Sequence, residues 1–185
     1  MEKFQAIQPS LHLQPYVKQY WFLSADGLTN GGQRAIPSGC IALSFKRGGD
    51  IFSVRENRFF PSACVFGQST TPGNFQFNSF DLIMILFQPL GAKIFFDIPI
   101  SEFKDQNIDI RDLSNPDIFE LEDRLMNCTD NQQCVYWIEQ LLLKRISRSN
   151  DERCKRLIKF FGNNKNFPTK ILFSTRREYF CGRVF

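Results

Sequence analysis

The stretch Thr71-Pro72-Gly73-Asn74-Phe75-Gln76-Phe77-Asn78-Ser79-Phe80-Asp81-Leu82-Ile83-Met84-Ile85-Leu86-Phe87-Gln88 decides the fold class. Phe75 and Phe77 alternate with Asn74, Gln76 and Asn78, the period-two pattern of a half-buried strand. Residues 82–87 are apolar at every position, which predicts a strand buried on both faces. Thr71-Pro72-Gly73 is a turn signal in front of both. Working outward, shorter runs recur at 20–24, 39–45, 51–54 and 63–67. Between them lie the turn signals Asn30-Gly31-Gly32, Pro37-Ser38-Gly39 and Gly48-Gly49-Asp50. Short strands punctuated in this way predict an antiparallel barrel or sandwich over residues 20–88. Before them, Leu13, Tyr16, Val17 and Tyr20 recur at roughly helical spacing, so residues 1–19 read as a turn and short helix.

The pattern changes after Gln88. Residues 90–96 suit a strand by propensity and a helical turn by context, and periodicity does not choose between them. From Asn115 onward helices dominate. Ser114 or Asn115 caps a helix opened by Pro116, with Ile118, Leu121 and Leu125 on one face. Thr129 or Asp130 caps a second helix with the apolar stripe Val135, Ile138, Leu141, Leu142 and Ile146. Such a stripe is a core face or a two-fold seam. Val135, Ile138, Leu142 and Ile146 are the expected interface of a homodimer. Residues 147–150 read as a linker. Cys154, Leu157, Ile158 and Phe161 mark a third helix, stopped by Gly162-Asn163-Asn164.

Composition excludes several function classes. The 185 residues are 43 % apolar and 23 % charged, which suits a globular chain of one domain with at most a small appendage. No apolar run reaches the ~18–20 residues of a membrane helix. No apolar segment follows Met1, so no secretory signal is expected. The six cysteines form no C-x-x-C pair and read as reduced thiols of a cytoplasmic protein. His12 is the single histidine, which argues against a cupin metal site, a zinc enzyme and most His-dependent hydrolases. Phosphate-loop, dinucleotide-binding, nucleophile-elbow and zincin motifs are missing from the sequence. The expectation is a protein without catalytic residues, metal or cofactor.

Charge is unevenly distributed. Residues 1–140 hold 11 Lys/Arg against 16 Asp/Glu, a net of −5. Residues 141–185 hold 12 against 3, a net of +9. A basic tail on an acidic body fits either a polyanion-binding segment or a solvated helix.

Several motifs share an order and spacing with a known family. They are Leu13-Gln14-Pro15-Tyr16-Val17-Lys18-Gln19-Tyr20-Trp21, Arg34-Ala35-Ile36-Pro37-Ser38-Gly39-Cys40-Ile41-Ala42-Leu43-Ser44-Phe45 and Phe87-Gln88-Pro89-Leu90-Gly91-Ala92. Ile98-Pro99-Ile100-Ser101-Glu102-Phe103 and Ile108-Asp109-Ile110-Arg111-Asp112-Leu113 follow. Over residues 10–145 the chain resembles the N-terminal part of AraC-type transcriptional regulators. The resemblance implies an α+β fold, an antiparallel cupin-like β-barrel followed by a helical C-terminal region. It divides the chain into a sensor or dimerisation barrel (1–113), linker and dimerisation helices (114–149) and a partial helix-turn-helix (150–185). It also turns residues 90–96 towards a helical turn. A small-molecule effector is expected inside the barrel, against Trp21, Phe45, Phe66, Phe75, Phe77 and Phe87. DNA is the expected partner of Thr169, Lys170, Ser174, Thr175, Arg176, Arg177 and Arg183, because Arg reaches guanine edges while Ser, Thr and Lys fix phosphates. The C-terminus departs from the family. Arg183 and Phe185 come late for the recognition helix, Gly182 interrupts it, and no second helix-turn-helix follows. Weak DNA binding is therefore expected of this form. The alternative is a stand-alone ligand-binding or dimerisation module without competent DNA binding.

Overall fold

A computed structural model describes residues 2–27, 31–88, 91–96, 98–148 and Arg156. Strands β1 (Lys3–Ile7), β2 (Val17–Ala25), β3 (Gly31–Ala35), β4 (Ala42–Ser53), β5 (Arg58–Phe59), β6 (Ala63–Phe66), β7 (Gly73–Phe87) and β8 (Asn107–Asp109) precede most of the helical part. Helix α1 (Gly91–Phe96) lies between β7 and β8, and α2 (Pro116–Met126) and α3 (Asn131–Arg148) follow. The chain is thus mixed, with an antiparallel sheet first and helices after it.

The decisive stretch forms β7, the longest strand at 15 residues. One edge of β7 pairs with β3 through Phe75 and Phe77 and with β2 through residues 80–87. The other edge pairs with β4 along nearly its whole length. The sheet runs β1-β2-β7-β4-β6-β8, with β3 on β7 and β5 on β4. Among the described residues this path ends at β1 and β8, so the sheet is not closed.

The sequence reading divided β4 and β7 wrongly. Residues 39–45 and 51–54 belong to one 12-residue strand, and Gly48-Gly49-Asp50 is no turn. The register against β7 shifts between Lys46 and Gly48 and again between Gly49 and Ile51, so the strand is irregular at Arg47 and Asp50, on either side of the paired Gly48 and Gly49. Gly49 has φ +69°, and a Cβ there would stand 2.0 Å from the Ser79 carbonyl oxygen. Only glycine fits this crossing. Residues 1–19 also differ from expectation. Lys3–Ile7 is a strand paired with β2, and residues 11–16 form turns. Tyr16 and Val17 are spaced for a helix only because the chain reverses tightly there, with the Val17 amide donating to the Leu13 carbonyl at 2.8 Å.

Consecutive apolar residues of β7 serve both sheet faces, as their run requires. Ile83, Ile85 and Phe87 join Tyr20, Phe45 and Val65 in the main core beneath the helices. Ile118, Leu125, Ile138 and Leu142 close that core from α2 and α3. A second cluster gathers Ile51, Phe60, Cys64 and Phe77, with Phe66, Phe75 and Leu82 packed against it. Its rings are tightly set, Phe60 lying 4.9 Å from Phe66 and 5.3 Å from Phe75.

The helix termini follow their capping residues. Asp130 accepts from the Gln132 and Gln133 amides and caps α3. Asn115 occupies the N-cap of α2, but its side chain accepts from Arg145 instead of capping. Ser62 Oγ donates to Glu122 Oε1 at 2.5 Å and fixes α2 against the start of β6. Tyr20 and the Ser10 amide both donate to Glu139 Oε1, fixing α3 against β2. Burial and the Glu139 carboxylate together push the Tyr20 hydroxyl's pKa upward.

Candidate functional site

The expected site residues separate into groups. Thr169, Lys170, Ser174, Thr175, Arg176, Arg177 and Arg183 lie outside the described residues. The six pocket aromatics do not line one cavity. Phe45 and Phe87 are 0 % and 1 % exposed in the main core. Phe66, Phe75 and Phe77 belong to the second cluster. Trp21 is half-buried and packs edge-on against Phe4 at 5.7 Å. Five of the six expected pocket aromatics thus pack in two clusters, and Trp21 lies in neither. Val135, Ile138 and Leu142 are buried, and Ile146 packs beside them in the chain's own core. The expected seam residues thus pack within one chain, Ile146 only partly buried among them.

A polar recess opens where β1 and β2 meet α3. Its volume is about 190 Å³, and Phe22, Ser24, Arg47, Asp81 and Asn131 are among its lining residues. Arg47 organises it. Its Nη2 donates to Asp81 Oδ1 at 2.9 Å, and its Nη1 donates to the Cys128 carbonyl oxygen at 2.9 Å. Its Nε is buried and makes no hydrogen bond among the described residues. Arg47 is itself the extra residue of the bulge between Lys46 and Gly48, and its guanidinium reaches the Cys128 carbonyl beyond α2. Asn131 donates to Gln5 Oε1 at 2.8 Å across the mouth of the recess. The recess therefore offers a cation, a carboxylate and amides around an apolar floor, which suits binding of a small polar molecule.

A wider groove, about 300 Å³, separates the outer faces of α2 and α3. The Arg124 guanidinium lies 4.1 Å from the centre of the Trp137 ring in its wall. At one end Asp117 faces Lys144 at 2.8 Å, Arg145 at 3.3 Å and Arg148 at 3.8 Å. The hydrogen bond from Lys144, followed by the fields of the arginines, holds the Asp117 carboxyl below its ordinary pKa.

Arg47, Glu122 and Glu139 were not foreseen. For the glutamates a signal existed. Glu122 falls beside Ile118, Leu121 and Leu125 at helical spacing, and Glu139 falls beside Val135, Ile138 and Leu142. A carboxylate on an apolar face marks a buried polar tie. Arg47 carried no such mark, because its partner at Cys128 is 81 residues away.

Residues 5–109, more than half of the chain, match the family described as a domain of unknown function, DUF6597. The chain belongs to this DUF6597 family. No curated protein matches the chain. The DUF6597 unit spans β1 to β8 and supplies Phe22, Ser24, Arg47 and Asp81 to the recess. Asn131 and Cys128 come from beyond it, so the recess is completed by the α2–α3 turn. Among the described residues no helix is long and apolar enough to cross a membrane.

Proposed function

We infer that the chain is an AraC-type DNA-binding transcriptional regulator, whose DUF6597 unit senses a small ligand or supports dimerisation. The step in charge carries this reading: −5 over residues 1–140 and +9 over residues 141–185. A segment of that density releases counterions from duplex DNA. The ordered motifs shared with AraC-type regulators support it, and in this reading the open sheet corresponds to that family's cupin-like barrel. The effector site is the Arg47 recess and not the aromatic clusters. The protein acts in the cytoplasm as a homodimer without catalysis. Its dimer contact falls on the outer face of α2 and α3, where Tyr136 is 51 % and Leu143 39 % exposed.

A mobility shift with a pool of random duplexes tests the reading. Retention of the pool at low salt, without enrichment of one sequence and weakened by Arg176→Ala with Arg177→Ala, is the expected result. A pool left unbound at low salt while the protein still binds a small ligand would favour the stand-alone sensor module.

A further inference from the structure

Cys128 and Cys134 flank the turn between α2 and α3, with Cys134 in the first turn of α3. Cys134 is fully buried, whereas Cys128 is partly open to solvent. The Cys128 thiol donates to the Asp130 carbonyl oxygen at 3.3 Å, and the two cysteines are near enough for Cys128 to act on the ionisation of Cys134. Cys134 Sγ also lies 3.9 Å from the Cys128 carbonyl oxygen. Arg47 reaches the same point from β4, with Nη1 3.8 Å from Cys134 Sγ. Two sulfurs, one of them accessible, therefore share the α2–α3 turn under a guanidinium that also lines the recess. The other described cysteines are placed differently: the thiol of Cys64 pairs with Ser44, and Cys40 lies beside Ser38, whose Oγ accepts from the Cys40 amide.

We propose that Cys128 and Cys134 are a reversible oxidation site, which closes to a disulfide when a peroxide oxidises Cys128. In the first step the Cys128 sulfur attacks hydrogen peroxide. The O–O bond breaks, Cys128 becomes a sulfenic acid and one water leaves. In the second step the Cys134 sulfur attacks the Cys128 sulfur. An S–S bond forms, the S–O bond breaks, and the departing hydroxide takes the Cys134 proton as a second water. The two thiols lose two electrons and the peroxide gains them.

Accessibility sets this order, since only Cys128 meets solvent. Burial, reinforced by Cys128, pushes the Cys134 thiol up to about 12, so it waits as a protonated resolving group. Arg47 stabilises the negative charge that grows on Cys134 as it attacks. Closing the bond to about 2.05 Å costs the hydrogen bond from Cys128 Sγ to the Asp130 carbonyl oxygen, now 3.3 Å. The disulfide then pins the end of α2 to the start of α3, the helix that leads into the basic segment.

Peptide mapping of the full chain tests the proposal. The protein is treated with a few equivalents of hydrogen peroxide, alkylated in denaturant and cut with trypsin. Cleavage after Arg124 and Lys144 leaves both cysteines in peptide 125–144. The expected peptide carries no alkyl group and weighs about 2 Da less than its dithiol form, a loss reversed by dithiothreitol. Cys134→Ser should halt the reaction at a Cys128 sulfenic acid that dimedone traps. A doubly alkylated peptide after peroxide, or Cys128 joined to a second chain, would overturn the proposal. The wild-type map decides the matter even if Cys134→Ser folds poorly.

Discussion

Asp117 faces the C-terminal end of α3, where Lys144, Arg145 and Arg148 all pair with it. Its lowered pKa gives a defined acid response. The stabilisation is complete above the unfolded carboxyl value of about 3.9 and is lost as pH falls through the lower folded value. Asp117→Asn should therefore lower the urea midpoint at neutral pH and flatten its fall below about pH 4. An unchanged acid profile would show that Asp117 contributes nothing in solution. Ser62 makes a sharper case, because Glu122 is only 7 % exposed. Ser62→Ala leaves the Glu122 carboxylate with Arg111 at 3.4 Å as its remaining described partner. The expected loss is about 1–3 kcal/mol by equilibrium unfolding. A neutral outcome would mean that water replaces the hydroxyl.

At the scale of elements, the sequence alone identified strands better than it joined them. Alternation at Phe75 and Phe77 and the apolar run after Asp81 both belong to strands, but their continuity in β7 depends on β4 pairing along both. Gly48-Gly49-Asp50 has turn chemistry, and only the long partner strand converts it to a bulge. Gly31-Gly32 has the chemistry of a turn signal, yet Gly31–Ala35 is a strand, since its place comes from pairing with β7 and not from apolar content. Gly49→Ala tests the bulge. A Cβ at φ +69° and 2.0 Å from Ser79 should cost about 1–3 kcal/mol or more of stability, read as a lower urea midpoint. The helices were legible in their spacing, yet spacing could not say what covers an apolar stripe. Ile138 is 0 % exposed in the core, so Ile138→Ala should cost about 2–5 kcal/mol. A small change in stability with a shift from dimer to monomer would instead place the stripe at a subunit seam.

At the scale of the whole molecule, the DUF6597 match ends at residue 109, before α2 and α3. The recess needs both parts, because Arg47 spans from β4 to the Cys128 carbonyl. Ligand occupancy in the recess and oxidation of the nearby thiols would thus act on the helices that carry the basic segment. The local character of that segment was legible in its charge, whereas the position of the recess was not, being made by residues from distant parts of the chain. The regulator reading stands on this segment binding duplex DNA. Fluorescence anisotropy of a labelled duplex, titrated with the full chain across a salt series, tests it most directly. Binding is expected at low salt and should weaken at least about tenfold between about 50 and 200 mM. Arg176→Ala with Arg177→Ala should weaken it about equally for every sequence, because phosphate contacts carry no sequence information. No detectable binding at about 50 mM salt, where the electrostatic contribution is strong, would contradict the claim.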